Sequence, residues 1–300
     1  MIHDLKRLNL ISGKGGVGRT TLAATLASAN AAAGKRTLLI ELEDDSGWDS
    51  PLARVFGLSH FQIEPHEIEK NLHALCLCAP VGQEKFLNSF LKIPKLAGLV
   101  MANQGVKWFL EGAPAFKEMG YFYHFLLMMK ENYDTIILDL PATGHLIGLA
   151  RLPNLLLKMM PVGPSAEKLR EGQSYMYSPQ TTAAWIVTLP QSFPVSEAIE
   201  LKNALKKEQI PVGGFILNKA PFNPFSEEEE KILESISAKS QTKRLMVDLE
   251  RIRRYRDAEK RLRQVVSEDT HKNLSIWVAP ETLNPSEEPD FCSRIQKVEL

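Results

Sequence analysis

Ser12-Gly13-Lys14-Gly15-Gly16-Val17-Gly18-Arg19-Thr20-Thr21 is the stretch on which the reading of this 300-residue chain turns. It follows a short apolar run, Leu8 to Ile11. It precedes an Ala- and Leu-rich segment, Thr20 to about Ala33, closed by Gly34. A phosphate-binding loop reads Gly, four residues, Gly, Lys, then Ser or Thr. Gly13 and Gly18 hold that spacing, Thr20 occupies the hydroxyl position, and Arg19 stands where lysine is expected. Glycines let the backbone fold tightly enough for several N–H groups to converge on phosphate oxygens. The N-terminus of the following helix adds unpaired N–H groups and a favourable dipole. The Thr20 hydroxyl is then positioned to ligate Mg²⁺. Residues 13 to 21 are therefore expected to bind a nucleotide with its metal.

A second pattern overlaps the first. Gly13-x-Gly15-x-x-Gly18 also fits the dinucleotide fingerprint, and Glu41 ends the next apolar run, where a ribose-binding acid would sit. That reading leaves Lys14 and the Thr20-Thr21 pair without a purpose, so the phosphate-loop reading is preferred.

Outward from the loop, apolar runs alternate with helical stretches. Strands are expected at Leu8 to Ile11, Thr37 to Leu42, Ala74 to Cys78, Thr135 to Leu140, Ala184 to Thr188, Gly213 to Leu217 and Ser275 to Ala279. Near-continuous apolar strands of this kind belong to a parallel sheet covered on both faces. The expected fold is α/β: a doubly wound, mostly parallel sheet of the P-loop NTPase type, forming one domain over residues 1–300. Residues 83–131, rich in Met, Phe and Leu, are expected to form a helical subdomain inserted within it. Met101, Trp108, Phe109, Phe116, Met119, Phe122, Phe125, Met128 and Met129 either line an apolar groove for a client helix or pack on the sheet. Residues 226–267 are charged and helical in pattern, and their run of Arg251, Arg253, Arg254, Arg256, Lys260, Arg261 and Arg263 reads as a solvated face.

Composition narrows the partners. Lys plus Arg and Asp plus Glu each number 36, for a formal net charge of zero. No global field draws the chain to nucleic acid. No apolar stretch is long enough to span a bilayer, and MIHDLKRLNL has no signal-peptide h-region. Three cysteines make no disulfide framework, which fits a cytoplasmic setting. Cys76 and Cys78 are expected in the core.

Asp139-Leu140-Pro141-Ala142-Thr143-Gly144-His145, continuing to Arg151-Leu152-Pro153, follows the apolar Thr135 to Leu138. With Lys14 directly after the first loop glycine, this string resembles the deviant Walker A ATPases, and within them the arsenite-pump (ArsA) and tail-anchored-protein targeting ATPase family. Val187-Thr188-Leu189-Pro190, followed by Pro194-Val195 and Glu197, is similar to a strand-to-helix segment of bacterial ArsA-like proteins. The resemblance spans about residues 7 to 285. It implies an ATP- or ADP-binding protein that uses Mg²⁺ and works as a homodimer, or as a heterodimer with a paralogue, on a protein client. Lys14 would reach the partner's nucleotide, Asp139 would hold the metal through water or Thr20, and the Gly144 amide would sense the γ-phosphate. Asn218 would read the adenine edge, and Pro280 would line the base pocket. Pro221 stands where GTPases carry an acid, which favours adenine over guanine. His145 could relay the switch or satisfy a local bond.

Two departures stand out. Arginine is a planar fork and no equivalent of the P-loop lysine. Arg19 either binds phosphate or points away and leaves Lys14 as the only cation. Glu43 stands where the family orients the attacking water with aspartate, one methylene shorter. Two functions follow: an ATPase, or a nucleotide-gated binding subunit with little hydrolysis. The C-x-x-C zinc pair of the eukaryotic targeting factor is lacking, and metalloid binding is not expected.

Overall fold

Leu8 and Leu10 point to one side of strand β1 (Leu8–Gly13) and Ile11 to the other, and all three are fully buried. That division runs across the sheet. Leu38, Ile40, Ile136, Leu138, Ile186 and Phe215 face one core; Leu39, Ile137, Trp185, Val187 and Ile216 face a second. A period-two strand buried on both faces needs apolar residues at nearly every position, which is why these segments read as unbroken apolar runs.

The structure is a computed structural model that describes residues 5–43, 50–91, 116–140, 143–159, 161–222, 225–240, 243–269, 274–282 and 291–299. The remaining strands are β2 (Thr37–Leu42), β3 (His66–Glu69), β4 (Leu72–Leu77), β5 (Thr135–Asp139), β6 (Thr182–Thr188), β7 (Val212–Ala220), β8 (Ser275–Pro280) and β9 (Gln296–Lys297). Among the described residues they form, with β1, one nine-stranded sheet in the order β3-β4-β2-β5-β1-β6-β7-β8-β9. The seven central strands are parallel, and β3 and β9 close the edges antiparallel. The doubly wound, mostly parallel α/β architecture is thus as expected. The two edge strands escape sequence reading because one is short and polar and the other has two residues.

Helix α1 (Arg19–Ala32) and the short α2 (Pro51–Val55) pack with α10 (Phe291–Arg294) on one face. The other face carries α3 (Ala79–Leu91), α4 (Phe116–Met128), α5 (Thr143–Met159), α6 (Pro164–Tyr177), α7 (Ser192–Lys207) and α9 (Lys243–Ser267). Helix α8 (Glu227–Ser240) packs on α9. Chain order reverses at β1: β2 lies to one side beyond β5, and β6 lies to the other. The crevice beyond the carboxyl end of β1 is the place where doubly wound sheets bind ligands.

The described ends of the expected insertion, α3 and α4, pack on each other. Phe116, Met119, Phe122, Phe125, Met128 and Met129 are buried in the larger core. These six pack toward the sheet and do not line an open groove; Met101, Trp108 and Phe109 lie outside the described residues. Fully burying side chains such as Phe122 and Phe125 contributes about 1.5–3 kcal/mol each. The basic run on α9 is answered locally: Arg251 pairs with Glu281, Arg254 with Glu250, Arg256 with Glu230 and Arg263 with Glu259, mostly at the surface. That matches a solvated face.

Candidate nucleotide site

Gly18 is the pivot of the loop. Its φ of +91° lies in the left-handed region, it precedes α1, and its carbonyl accepts the Leu22 N–H at 3.1 Å. A Cβ at Gly18 would fall 2.3 Å from Asn218 Nδ2. Gly13 is confined too: a Cβ there would meet the Val187 carbonyl oxygen at 2.3 Å. Gly15 and Gly16 face open space, so the loop has room above its own backbone. Helix α1 has no side-chain cap and no acid in its first turn. Its first N–H groups, at Arg19, Thr20 and Thr21, therefore keep their positive end for an external anion.

Two side chains meet beside the loop. Thr20 Oγ1 donates to Asp139 Oδ2 at 2.7 Å, across the gap from α1 to the end of β5. Asp139 Oδ1 is buried and has no hydrogen-bond partner among the described residues. Burial pushes the Asp139 carboxyl above the usual range, against the Thr20 bond and the Arg19 charge. An orphaned carboxylate oxygen beside a threonine hydroxyl, at a helix N-terminus, fits a hydrated divalent cation on a phosphate. Ser12 Oγ, one residue before the loop, is also buried and, among the described residues, unpartnered.

Arg19 faces away from the mouth of the loop. Its guanidinium donates to the Leu140 carbonyl, directly after Asp139, and so faces the end of β5. Burial lowers its pKa, and Asp139 offsets part of that. Lys14 extends the other way. It pairs with Glu197 on α7 and lies 4.8 Å from the centre of the Phe193 ring, itself largely exposed. The Lys14 side chain remains half exposed.

The other residues fall around this core. Asn218, at the end of β7, is buried, and its Nδ2 donates to the Val17 carbonyl at 2.8 Å. It braces the loop from below, a role that the sequence reading, which gave it the adenine edge, did not include. Pro280 ends β8 and lines a cavity of about 980 Å³ with Ala220, Pro221, Phe222, Tyr255 and Val278. No residue of the loop 13–21 lines that cavity. Gly144 lies in the first turn of α5. In that turn helix N–H groups lack intrahelical acceptors. The His145 side chain, with Asp44 and Asp45, lies outside the described residues. Glu43 follows β2; its N–H donates to the Leu77 carbonyl at 3.0 Å and its carbonyl accepts from Tyr121 Oη at 2.8 Å. Nothing in the sequence marks Tyr121, because the contact joins positions far apart in the chain.

Glu41 is not the free acid that a dinucleotide site would need. It is buried and accepts a hydrogen bond from Ser50, whose hydroxyl also caps α2 through the Ala53 N–H at 3.0 Å. Cys78 and Cys292 are buried and Cys76 is partly so; all three thiols are free. The hydrogen bond with neighbouring Cys78, followed by burial, pushes the Cys76 thiol pKa up, and burial raises that of Cys292 to about 11. Among the described residues no helix is long and apolar enough to cross a membrane.

A glycine loop between a central parallel strand and an uncapped helix, facing a buried aspartate, defines a P-loop nucleotide-binding protein. The family model for anion-transporting ATPases, the ArsA family, matches residues 6–168, more than half of the chain, and the chain belongs to that family. It is 28% identical over 226 residues to the ATPase BagA of Mycobacterium tuberculosis, which covers 71% of this chain and 65% of that protein. It is 33% identical over 153 residues to ATPase ASNA1 homolog 1 of Paramecium tetraurelia, covering 49% of this chain and 44% of the relative. It is also 24% identical over 231 residues to the arsenical pump-driving ATPase of Escherichia coli, covering 73% and 36%. The chain thus spans less than two thirds of the length of these relatives.

Proposed function

We propose that this chain is a cytoplasmic ATPase that binds ATP with Mg²⁺ at residues 13–21, acts as a dimer and couples its nucleotide state to a protein client. The observation that carries this reading is the Thr20–Asp139 hydrogen bond with its orphaned carboxylate oxygen. Thr20 and Asp139 hold the metal, which neutralises phosphate charge when bound. The loop N–H groups and the first turn of α1 cradle the phosphates. Gly144 meets the γ-phosphate, and Glu43 orients the attacking water. Lys14 leaves Glu197 to reach the partner's nucleotide. The base lies toward Pro280, with Asn218 holding the loop below it, and adenine is preferred over guanine. The dimer pairs two copies of this chain, or this chain with a paralogue. No nucleic acid is part of the function, and any membrane contact is peripheral.

The second reading, a nucleotide-gated subunit with little hydrolysis, is favoured by Arg19. Its guanidinium is engaged with Leu140, so the usual cation between β- and γ-phosphates is not supplied from that position. Two measurements separate the readings. Saturating ATP or ADP with Mg²⁺ raises the melting temperature under both. Magnesium-dependent steady-state phosphate release is expected only from the enzyme, and Arg19→Lys is expected to increase it. Absence of any thermal shift would remove the nucleotide site itself. A normal shift without phosphate release, from parent and Arg19→Lys alike, would leave the gated subunit.

A further inference from the structure

We infer that Tyr121 is a positioning residue for Glu43 and ties the helical insertion to the end of β2. The inference rests on the water-orienting role proposed for Glu43. The β2–β4 ladder ends at the Leu42–Leu77 pair. Glu43 is the next residue, and its carbonyl takes a hydrogen bond from a side chain, the Tyr121 hydroxyl at 2.8 Å. With the N–H held by Leu77, both backbone groups of Glu43 are fixed. Phosphoryl transfer depends on placement, and a carboxylate beyond the last ladder pair owes its placement to such contacts.

Tyr121 is suited to that task. Its side chain is buried, and burial, followed by the charge of Glu43, pushes the phenol pKa well above its ordinary value. The hydroxyl therefore remains a donor at any working pH. The helix that carries it has little play. At Gly120, the preceding residue, α4 meets α3 with no side chain between them: a Cβ there would lie 2.2 Å from the Ala79 carbonyl oxygen. A shift of α4 must carry the Tyr121 hydroxyl with it and change the backbone at Glu43. By reciprocity, a change at Glu43 on nucleotide binding is felt in α4.

Tyr121→Phe removes the hydroxyl and keeps the ring. Tyr123→Phe is the control, since it removes a hydroxyl from the same buried helix, one that accepts from Lys168 and does not touch Glu43. Phosphate release by Tyr121→Phe is expected to show a kcat about tenfold lower, with KM within about twofold of the parent. Tyr123→Phe should match the parent, and in a Glu43→Gln background Tyr121→Phe should cost nothing further. Amide hydrogen exchange over residues 116–128, with and without ADP·Mg²⁺, is the second measurement. Nucleotide should slow exchange there in the parent and in Tyr123→Phe, but not in Tyr121→Phe. An unchanged kcat with unchanged exchange response in Tyr121→Phe, or equal losses in both variants, overturns the inference. If Glu43→Gln releases phosphate as the parent does, or the parent releases none, the role proposed for Glu43 fails by itself. Exchange then decides for Tyr121 alone, and a parent that shows no nucleotide response over 116–128 counts against it.

Discussion

Gly18 shows how little latitude a single residue has in this site. A left-handed backbone costs a residue with a Cβ about 1–2 kcal/mol, and here that Cβ would also displace the Asn218 amide from its bond to Val17. Gly18→Ala should therefore leave the sheet folded but open the loop, and the melting-temperature gain with ADP·Mg²⁺ should disappear. A variant that keeps the full gain would show that the loop can bind nucleotide without its brace. Asn218→Ala is the companion change: it keeps the glycine and removes the brace, and is expected to weaken nucleotide binding about tenfold by isothermal titration, in line with a lost buried hydrogen bond. The pattern Gly13 to Thr21 was legible in the sequence because a phosphate cradle needs those residue types at that spacing. The brace was not, since the sequence places Asn218 two hundred residues away.

At the scale of the element, α4 carries an acid-sensitive group. His124 is fully buried, neither ring nitrogen has a hydrogen-bond partner of good geometry among the described residues, and burial lowers its pKa from 6.5 to about 4. Lys85 adds to the lowering and Glu64 opposes it. Below pH 6.5 the unfolded chain takes up a proton that the folded chain refuses until about pH 4, so folding stability falls as pH falls through that window. From pH 7.5 to pH 5 the loss from this one group is about 2 kcal/mol. His124→Phe should flatten that part of the pH dependence in urea unfolding and cost little at pH 7.5, since it leaves no polar group unpaired. Equal pH slopes for parent and variant would assign the acid sensitivity elsewhere. The helical character of residues 116–128 was readable from their composition. Their burial against the sheet was decided by packing, because an apolar helix reads the same whether it lines a groove or fills a core.

For the whole molecule the central question is the dimer, and Lys14 tests it. In the single chain this lysine is satisfied by Glu197 and Phe193. A surface pair of this kind contributes only about 0–1 kcal/mol, little enough to be given up for a phosphate across an interface. Lys14→Ala should leave monomer affinity for nucleotide within a few-fold, yet abolish ATP·Mg²⁺-dependent dimerisation in light scattering and any phosphate release. If Lys14→Ala dimerises with ATP as the parent does, the lysine does not act between subunits.

The sequence by itself determined the alternation of strand and helix, the parallel sheet, the phosphate loop and the acid at the end of β5. These are local matters: backbone conformation, burial on both faces and short-range spacing fix them. It also marked Arg19 and Glu43 as departures, and left two directions open for the arginine. Only the tertiary structure decided that Arg19 turns to Leu140, that Lys14 docks on α7, that Asn218 supports the loop and that Tyr121 holds Glu43. The antiparallel edges β3 and β9 belong with these. Each joins residues distant in the chain whose meeting depends on how the helices pack on the sheet, and no residue type or spacing announces such a meeting in advance.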